Sequence, residues 1–218
     1  MRQRLADLLQ ADGPRLALLR QVRALALPDA WIGAGFVRNA VWDMLAGRPP
    51  RLPADIDVIW FDRARAQPLR DTALERRLAR TGPPAPWSVK NQSRMHARNQ
   101  DAPYACCGDA LRAWPETATA VAVRLDAFDR IEILAPLGLD DLFAGIVRPT
   151  PRFRGAKHVQ FQARLQDKQG WRSGLSCACC PDPRPDVIRA IPAGRRYEAK
   201  TKQCANRIMY FRFCCFMM

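Results

Sequence analysis

Two aspartates two residues apart, Asp55 and Asp57, are the residues of this 218-residue chain whose type and spacing best suit chemistry. They open an apolar run that predicts a β-strand, and residues i and i+2 of a strand point to the same face with Cα atoms about 6 to 7 Å apart. Such a carboxylate pair suits one or two divalent ions, because Mg²⁺ prefers oxygen ligands. Taken alone, however, Asp-x-Asp at a strand start is often only a solvated turn.

A glycine turn and a helix precede the aspartates. Gly33 and Gly35 follow the short apolar run 30–32, and they permit a tight turn that a ligand can approach closely. The amphipathic helix predicted after them would direct its N-terminus at an anion, which the helix dipole and free N–H groups favour. Arg38, in the first turn of that helix, is predicted to reach a triphosphate. The joint order of strand, turn, helix, loop and Asp-x-Asp strand is more specific than any one part.

A third carboxylate is expected from another strand. Glu132 lies between two isoleucines in the predicted strand 131–134, which is expected to form a hairpin with the strand predicted at 117–125. Its side chain would lie on the face opposite its apolar neighbours. We therefore expect Glu132 to complete a metal site with Asp55 and Asp57, and to orient or deprotonate an attacking hydroxyl.

A polar, cationic block follows the predicted strand 87–91. Lys90 is the candidate phosphate ligand in this block, and two amides, an arginine and His96 follow it within six residues. A binding role for phosphate or an acceptor and a plain solvated loop are equally compatible with this pattern. Two other polar groups have simpler interpretations. The segment 114–116 is predicted to be a structural corner, and Asp140-Asp141 to begin and cap a helix reaching Val147.

The remaining elements follow from hydrophobic period and breakers. Two helices are predicted at the N-terminus, broken by Gly13-Pro14, and a charged helix follows the aspartate strand. A brief helix capped by Asp109 and a last helix within 156–171 complete the set.

Several blocks of the chain carry a resemblance. Gly33-Ala-Gly-Phe-Val-Arg-Asn39, followed by Asp55-Ile-Asp-Val58, resembles the signature of the polymerase-beta-like nucleotidyltransferase superfamily, and its layout is similar to the head of the tRNA CCA-adding enzymes. The segments 89–96, 114–120 and 135–143 resemble blocks of a bacterial family of small nucleotidyltransferase-like proteins. The resemblance covers roughly residues 16–171.

This resemblance implies an α+β, polymerase-beta-like nucleotidyltransferase fold with a small mixed sheet flanked by helices. It also implies Mg²⁺ on Asp55 and Asp57, a third carboxylate at Glu132, and the phosphates of an NTP over residues 33–38. It implies transfer of a nucleoside monophosphate to a hydroxyl of an acceptor, which is a small molecule, RNA or protein. The chain departs from the CCA-adding pattern in having Ala34 in place of the first of two paired glycines, and Asn39 in place of an aspartate. Neither departure removes a metal ligand.

The formal charge of +14 leaves two interpretations open. Clustered Lys and Arg would neutralise nucleic-acid phosphates, whereas arginines scattered over many helices are solvated charge. The second is favoured because no basic run exceeds two residues. A non-catalytic nucleotide- or RNA-binding module on the same fold is the alternative to an enzyme, and it predicts binding without release of pyrophosphate.

Composition changes abruptly after Trp171. We predict a nucleotidyltransferase domain over 1–171 and a Cys/Pro/Arg-rich tail over 172–218 that is disordered or translated from an altered reading frame, with a small second domain as the alternative. The tail cysteines lack the two C-x2-C pairs that make a zinc site a strong prediction. No apolar run approaches the ~20 residues that span a bilayer, so we expect no membrane partner and a cytoplasmic location.

Overall fold

A computed structural model of the protein describes residues 1–167 and 188–189. The α-helices are α1 (Arg2–Gln10), α2 (Gly13–Arg23), α3 (Gly35–Leu45), α4 (Pro68–Arg80), α5 (Met95–Asn99), α6 (Cys107–Arg112), α7 (Asp140–Ala144) and α8 (His158–Asp167). The strands are β1 (Trp31–Gly33), β2 (Ile56–Trp60), β3 (Trp87–Asn91), β4 (Ala122–Leu125), β5 (Ile131–Leu134), β6 (Ile146–Val147) and β7 (Ile188–Arg189).

Five strands form a mixed sheet in the order β3-β2-β1-β4-β5. The β2–β3 pair is parallel and is joined by α4, whereas β1 pairs antiparallel with both β2 and β4. The β4–β5 hairpin places β5 at the far edge. The predicted α+β fold, a small mixed sheet flanked by helices, is confirmed.

The two faces of the sheet bury different residues. One face carries Ile32, Val58 and Trp60, which pack with the apolar sides of the long helices in the main core. The other face carries Trp31 and Ile59, which α6 covers in a smaller cluster. Because side chains alternate along a strand, Asp57 shares this second, less covered face with Ile59.

Local chemistry explains where several elements begin. The Asp12 side chain accepts a hydrogen bond from the Arg15 amide (3.1 Å) and so caps α2, with Pro14 in its first turn. The buried Asp71 side chain of α4 accepts hydrogen bonds from the Trp60 indole N–H (2.9 Å) and from the main-chain N–H of Asn91 (3.1 Å). These bonds fasten the connecting helix to both parallel strands.

Three boundaries differ from the sequence-based expectation. The strand predicted at 117–125 is confined to Ala122–Leu125, because the amides of Thr119 and Ala120 turn back onto the Glu116 carbonyl. Asp109 lies inside α6, whose N-cap is Cys106. The helix begun at Asp140 ends at Ala144, where Gly145 takes a left-handed conformation before β6.

The predicted tail, 172–218, lies outside the described residues except for Ile188–Arg189. These two residues pair antiparallel with Ile146–Val147. The domain boundary at residue 171 stays a prediction. Within the described part of the chain, every helix is too short or too polar to cross a bilayer.

Candidate active site

The turn between β1 and α3 is held in an unusual backbone conformation. Ala34, the residue before α3, has φ 53° and ψ −125°, a region that L-residues rarely occupy. Its methyl group provides no hydrogen bond to the helix, so no side chain caps the N-terminus of this 11-residue helix. The first amides of a helix have no partner within the helix. The turn therefore presents uncapped N–H groups and the positive end of a dipole, which favour an anion.

Gly33 and Gly35 lie in closely packed surroundings. A Cβ on Gly33 would lie 3.2 Å from both Trp114 Cη2 and the Val121 carbonyl oxygen. A Cβ on Gly35 would lie 3.2 Å from Pro53 Cβ. All three contacts are tighter than most contacts that a Cβ makes, so close packing is a second reason for glycine here, beside the predicted role of these residues in admitting phosphates.

The two aspartates flank this turn. The antiparallel register pairs Trp31 with Ile59 and Ile32 with Val58, and its continuation places Asp57 opposite Gly33. Asp55 lies two residues earlier, immediately before the first residue of β2. Both side chains are partly buried. The carboxylate pair and the helix N-terminus, both predicted from sequence, thus meet at one end of the sheet.

Arg38 projects from the first turn of α3 into the same region. Its guanidinium donates two hydrogen bonds to Asn39 Oδ1 (2.8 and 3.1 Å) and lies 5.3 Å from the centre of the Trp42 ring. Burial lowers the pKa of Arg38 from its ordinary 12.5 to about 10, against the opposing charges of Glu116, Asp55 and Asp57. Arg38 therefore remains cationic at neutral pH and lies in the field of all three carboxylates.

Glu116 is the acidic residue that sequence reasoning left out of the site. It is 0 % exposed, accepts a hydrogen bond from Thr119 Oγ1 (2.7 Å), and forms an ion pair with Arg164 of α8. A signal was present, since Glu116 is the one charged residue between Arg112 and Arg124. An acidic side chain within an apolar stretch is buried only when it has partners.

Glu132 does not lie with Asp55 and Asp57, which corrects the expectation of a three-carboxylate cluster. The strand order places β5 three strands from β2, a separation of about 14 Å at about 4.8 Å per strand. Glu132 instead forms a cross-strand ion pair with Arg124, whose guanidinium stacks 4.1 Å from the Trp31 ring centre. The pattern placed Glu132 on a strand correctly, but strand order depends on contacts that pattern does not encode.

Lys90 and its neighbours are engaged in holding the chain together. The Lys90 ammonium lies 2.9 Å from Glu75 Oε1 of α4, and the register sets Lys90 beside Ile59 rather than Asp57. The side-chain amide nitrogen of Asn91 donates hydrogen bonds to the main-chain carbonyls of Asp62 (2.8 Å) and Arg65 (3.0 Å). These contacts give Lys90 and Asn91 partners within the fold, and a phosphate-binding role for Lys90 stays a prediction.

The donor set at the turn fits Mg²⁺. Mg²⁺ is commonly held by one or two carboxylates together with substrate phosphates, and Asp55 and Asp57 provide such a pair beside an anion-favouring helix N-terminus. Among the described residues no three His, Cys, Asp or Glu side chains are grouped to hold a metal ion by themselves. A metal at this turn would accordingly depend on the phosphates of a nucleotide for further ligands.

Comparisons with known proteins agree with this geometry. A family model described as nucleotidyltransferase matches residues 20–175. A solved NMR structure described as revealing a CCA-adding enzyme head domain is 34% identical, with a TM-score of 0.69, and the match covers 78% of this chain and 91% of that one. A search of curated proteins found no match.

A longer solved structure is more distant. The CCA-adding enzyme of Bacillus stearothermophilus in complex with CTP is 17% identical with a TM-score of 0.42, and the match covers 75% of this chain and 38% of that enzyme. That similarity is too remote to support an argument about the site.

Proposed function

Because this chain belongs to the nucleotidyltransferase family, within the polymerase-beta-like superfamily, we propose that it transfers a nucleoside monophosphate from an NTP to a hydroxyl group of an acceptor, with Mg²⁺ held by Asp55 and Asp57. The observation that carries the proposal is the meeting of these two aspartates with the uncapped N-terminus of α3 and with Arg38.

In the proposed reaction the acceptor oxygen forms a bond to the α-phosphorus while the bond between the α-phosphorus and the oxygen leading to the β-phosphate breaks. The hydroxyl proton passes to solvent water, and pyrophosphate leaves with the electron pair of the broken bond. Bound Mg²⁺ would polarise the phosphoryl oxygens and neutralise the charge that develops on the pyrophosphate. The protein's own part is to hold both reactants in place.

Each residue of the turn has a separate task in this proposal. The amides that open α3 bind triphosphate oxygens through hydrogen bonds, and the guanidinium of Arg38 adds a fixed positive charge beside them. Asp57 on β2, and Asp55 immediately before that strand, provide the carboxylates beside this turn. Lys90, paired with Glu75, remains a more peripheral candidate for the nucleotide.

The test is transfer of label by the full-length chain. The chain is incubated with Mg²⁺ and one NTP labelled at its α-phosphate. Each incubation also contains one fraction of a cell extract freed of its own enzymes: RNA, protein or small molecules. The matched control is Asp57→Asn, which keeps the shape of the side chain and removes its charge. We expect label in one fraction, release of pyrophosphate, and loss of both in the control.

Two outcomes would overturn the transfer proposal. NTP binding without pyrophosphate release in any fraction would indicate a nucleotide-binding module without turnover. Labelling that persists unchanged in Asp57→Asn would show that another site performs the reaction. If RNA is the labelled fraction, a steep fall in its affinity with salt would indicate several phosphate contacts.

A further inference from the structure

The Arg38 guanidinium is held from two sides near the start of α3. Its Nε and Nη2 both donate hydrogen bonds to Asn39 Oδ1 (3.1 and 2.8 Å), and its central carbon lies 5.3 Å from the centre of the Trp42 ring. Trp42 is itself buried, and its indole N–H donates to the main-chain carbonyl of Leu142 (2.9 Å). Asn39 and Trp42 therefore restrict the guanidinium to one place.

The hydrogen bonds from Arg38 also determine which way the Asn39 amide faces. A guanidinium donates hydrogen bonds and accepts none, so the atom of Asn39 that faces it must be the oxygen Oδ1. The amide nitrogen Nδ2 then lies on the other side of the amide group. In the part of the chain that the structure describes, Nδ2 donates no hydrogen bond. Asn39 therefore keeps two N–H donors that a ligand can use.

The donor nitrogens of both side chains lie beside Gly35, the first residue of α3. A Cβ built on Gly35 would lie 3.6 Å from Arg38 Nη2 and 3.9 Å from Asn39 Nδ2. Helix side chains lean towards the N-terminus of their helix, which agrees with this placement. Two side-chain donors thus stand next to the main-chain N–H groups that no side chain caps.

Helix stability does not account for an asparagine at this position. Asn39 is the fifth residue of α3, beyond the N-cap at which asparagine stabilises a helix. In a helix interior asparagine is less favourable than alanine, by up to about 0.7 kcal/mol. Its one hydrogen-bonding partner among the described residues is Arg38. The amide therefore has a task that a better helix former could not perform.

We propose that Asn39 is a nucleotide-binding residue, whose Oδ1 positions the Arg38 guanidinium and whose Nδ2 donates a hydrogen bond to an oxygen of the triphosphate. This proposal rests on the proposed function, because it adds a ligand to the same nucleotide site. A neutral amide accepts from Arg38 without cancelling its charge and still has donors for the anion. An aspartate could accept the same two hydrogen bonds, but it would neutralise the guanidinium and repel a phosphate.

The test compares Asn39→Ala and Asn39→Asp with the wild type on the full-length chain. The Kd for each NTP and for inorganic triphosphate is measured with Mg²⁺, beside the Tm. We expect Asn39→Ala to weaken binding of both probes about tenfold, because a hydrogen bond to a charged oxygen is lost. Asn39→Asp should bind still more weakly, although it keeps an acceptor for Arg38. Both variants should keep a Tm within about 4 °C of the wild type, because Asn39 is only half-buried.

Two controls separate donation by Asn39 from positioning and from the added charge. In an Arg38→Gln background, Asn39→Ala should still weaken triphosphate binding at least about threefold, because donation from Nδ2 does not act through Arg38. Gln67→Glu makes the same change from amide to carboxylate at an exposed residue that immediately precedes α4. It follows the end of β2 opposite to Asp55, so the affinity should stay within about twofold of the wild type.

Three results would overturn the assignment. They are an unchanged affinity in Asn39→Ala, a loss that disappears in the Arg38→Gln background, and tighter binding by Asn39→Asp than by Asn39→Ala. If Asn39→Asp does not fold, the first two results decide alone. A wild type that binds inorganic triphosphate but no NTP would refute the proposed function, and the triphosphate series would then decide the role of Asn39. A wild type that binds neither probe would refute both.

Discussion

Gly33→Ala separates packing from ligand access at the glycine turn. The new Cβ would lie 3.2 Å from Trp114 Cη2, 3.2 Å from the Val121 carbonyl oxygen and 3.4 Å from Ala122 Cβ. The Val121 oxygen belongs to the backbone that leads into β4, so it cannot move without shifting the β1–β4 pairing. Overpacking of this kind costs about 1 to 3 kcal/mol. For a domain of this size, a loss of about 2 kcal/mol lowers Tm by about 4 to 8 °C.

The assay is thermal and denaturant unfolding of the full-length chain beside a matched variant, Gly13→Ala. Gly13 opens α2, and nothing lies within 4 Å of its added Cβ. Its substitution should leave stability unchanged or raise it by up to about 1 kcal/mol. An unchanged Tm in Gly33→Ala would refute the packing argument. If NTP affinity fell at the same time, Gly33 would be needed only for the ligand.

Two further predictions concern stability. Ala34→Gly should raise the free energy of unfolding by about 1 kcal/mol. Glycine removes backbone strain of about 1 to 3 kcal/mol and adds an entropic cost of about 0.5 to 1 kcal/mol. A lower Tm would show that Ala34 is not strained. Burial alone would raise the pKa of Asp101, but hydrogen bonds from Tyr104, Lys157 and Arg152 hold it below its usual value. The resulting stabilisation is present above about pH 4 and is lost as pH falls through the lowered pKa. Asp101→Asn should therefore reduce the fall of Tm as the pH decreases below about 4. A fall as steep as in the wild type would contradict this.

Local signals in the sequence were sufficient to identify the glycine turn, Arg38 and the two aspartates of the candidate site. Gly33, Gly35 and Arg38 are close in sequence, and Asp55 and Asp57 are only two residues apart. The helices were predicted for the same reason, since their apolar period and breakers are local. These features needed no knowledge of which strand lies beside which.

The rest of the site depends on long-range contacts. Glu132 was placed on a strand, but its distance from the aspartates is set by the strand order β3-β2-β1-β4-β5, which local pattern does not specify. Glu116 was assigned to a corner because its partner Arg164 lies 48 residues later, on α8. Its burial against that partner, together with the contact of the adjacent Trp114 loop with Gly33, becomes evident only when the chain is folded.

The most direct test of the central claim is the Mg²⁺ dependence of NTP binding in the wild type and in Asp57→Asn, measured by calorimetry on the full-length chain. The account predicts that Mg²⁺ strengthens NTP binding in the wild type. It also predicts that Asp57→Asn loses this Mg²⁺-dependent gain, at least about tenfold in Kd, while its Tm stays close to that of the wild type. A folded Asp57→Asn variant with unchanged Mg²⁺-dependent affinity would contradict the claim that Asp55 and Asp57 hold the metal.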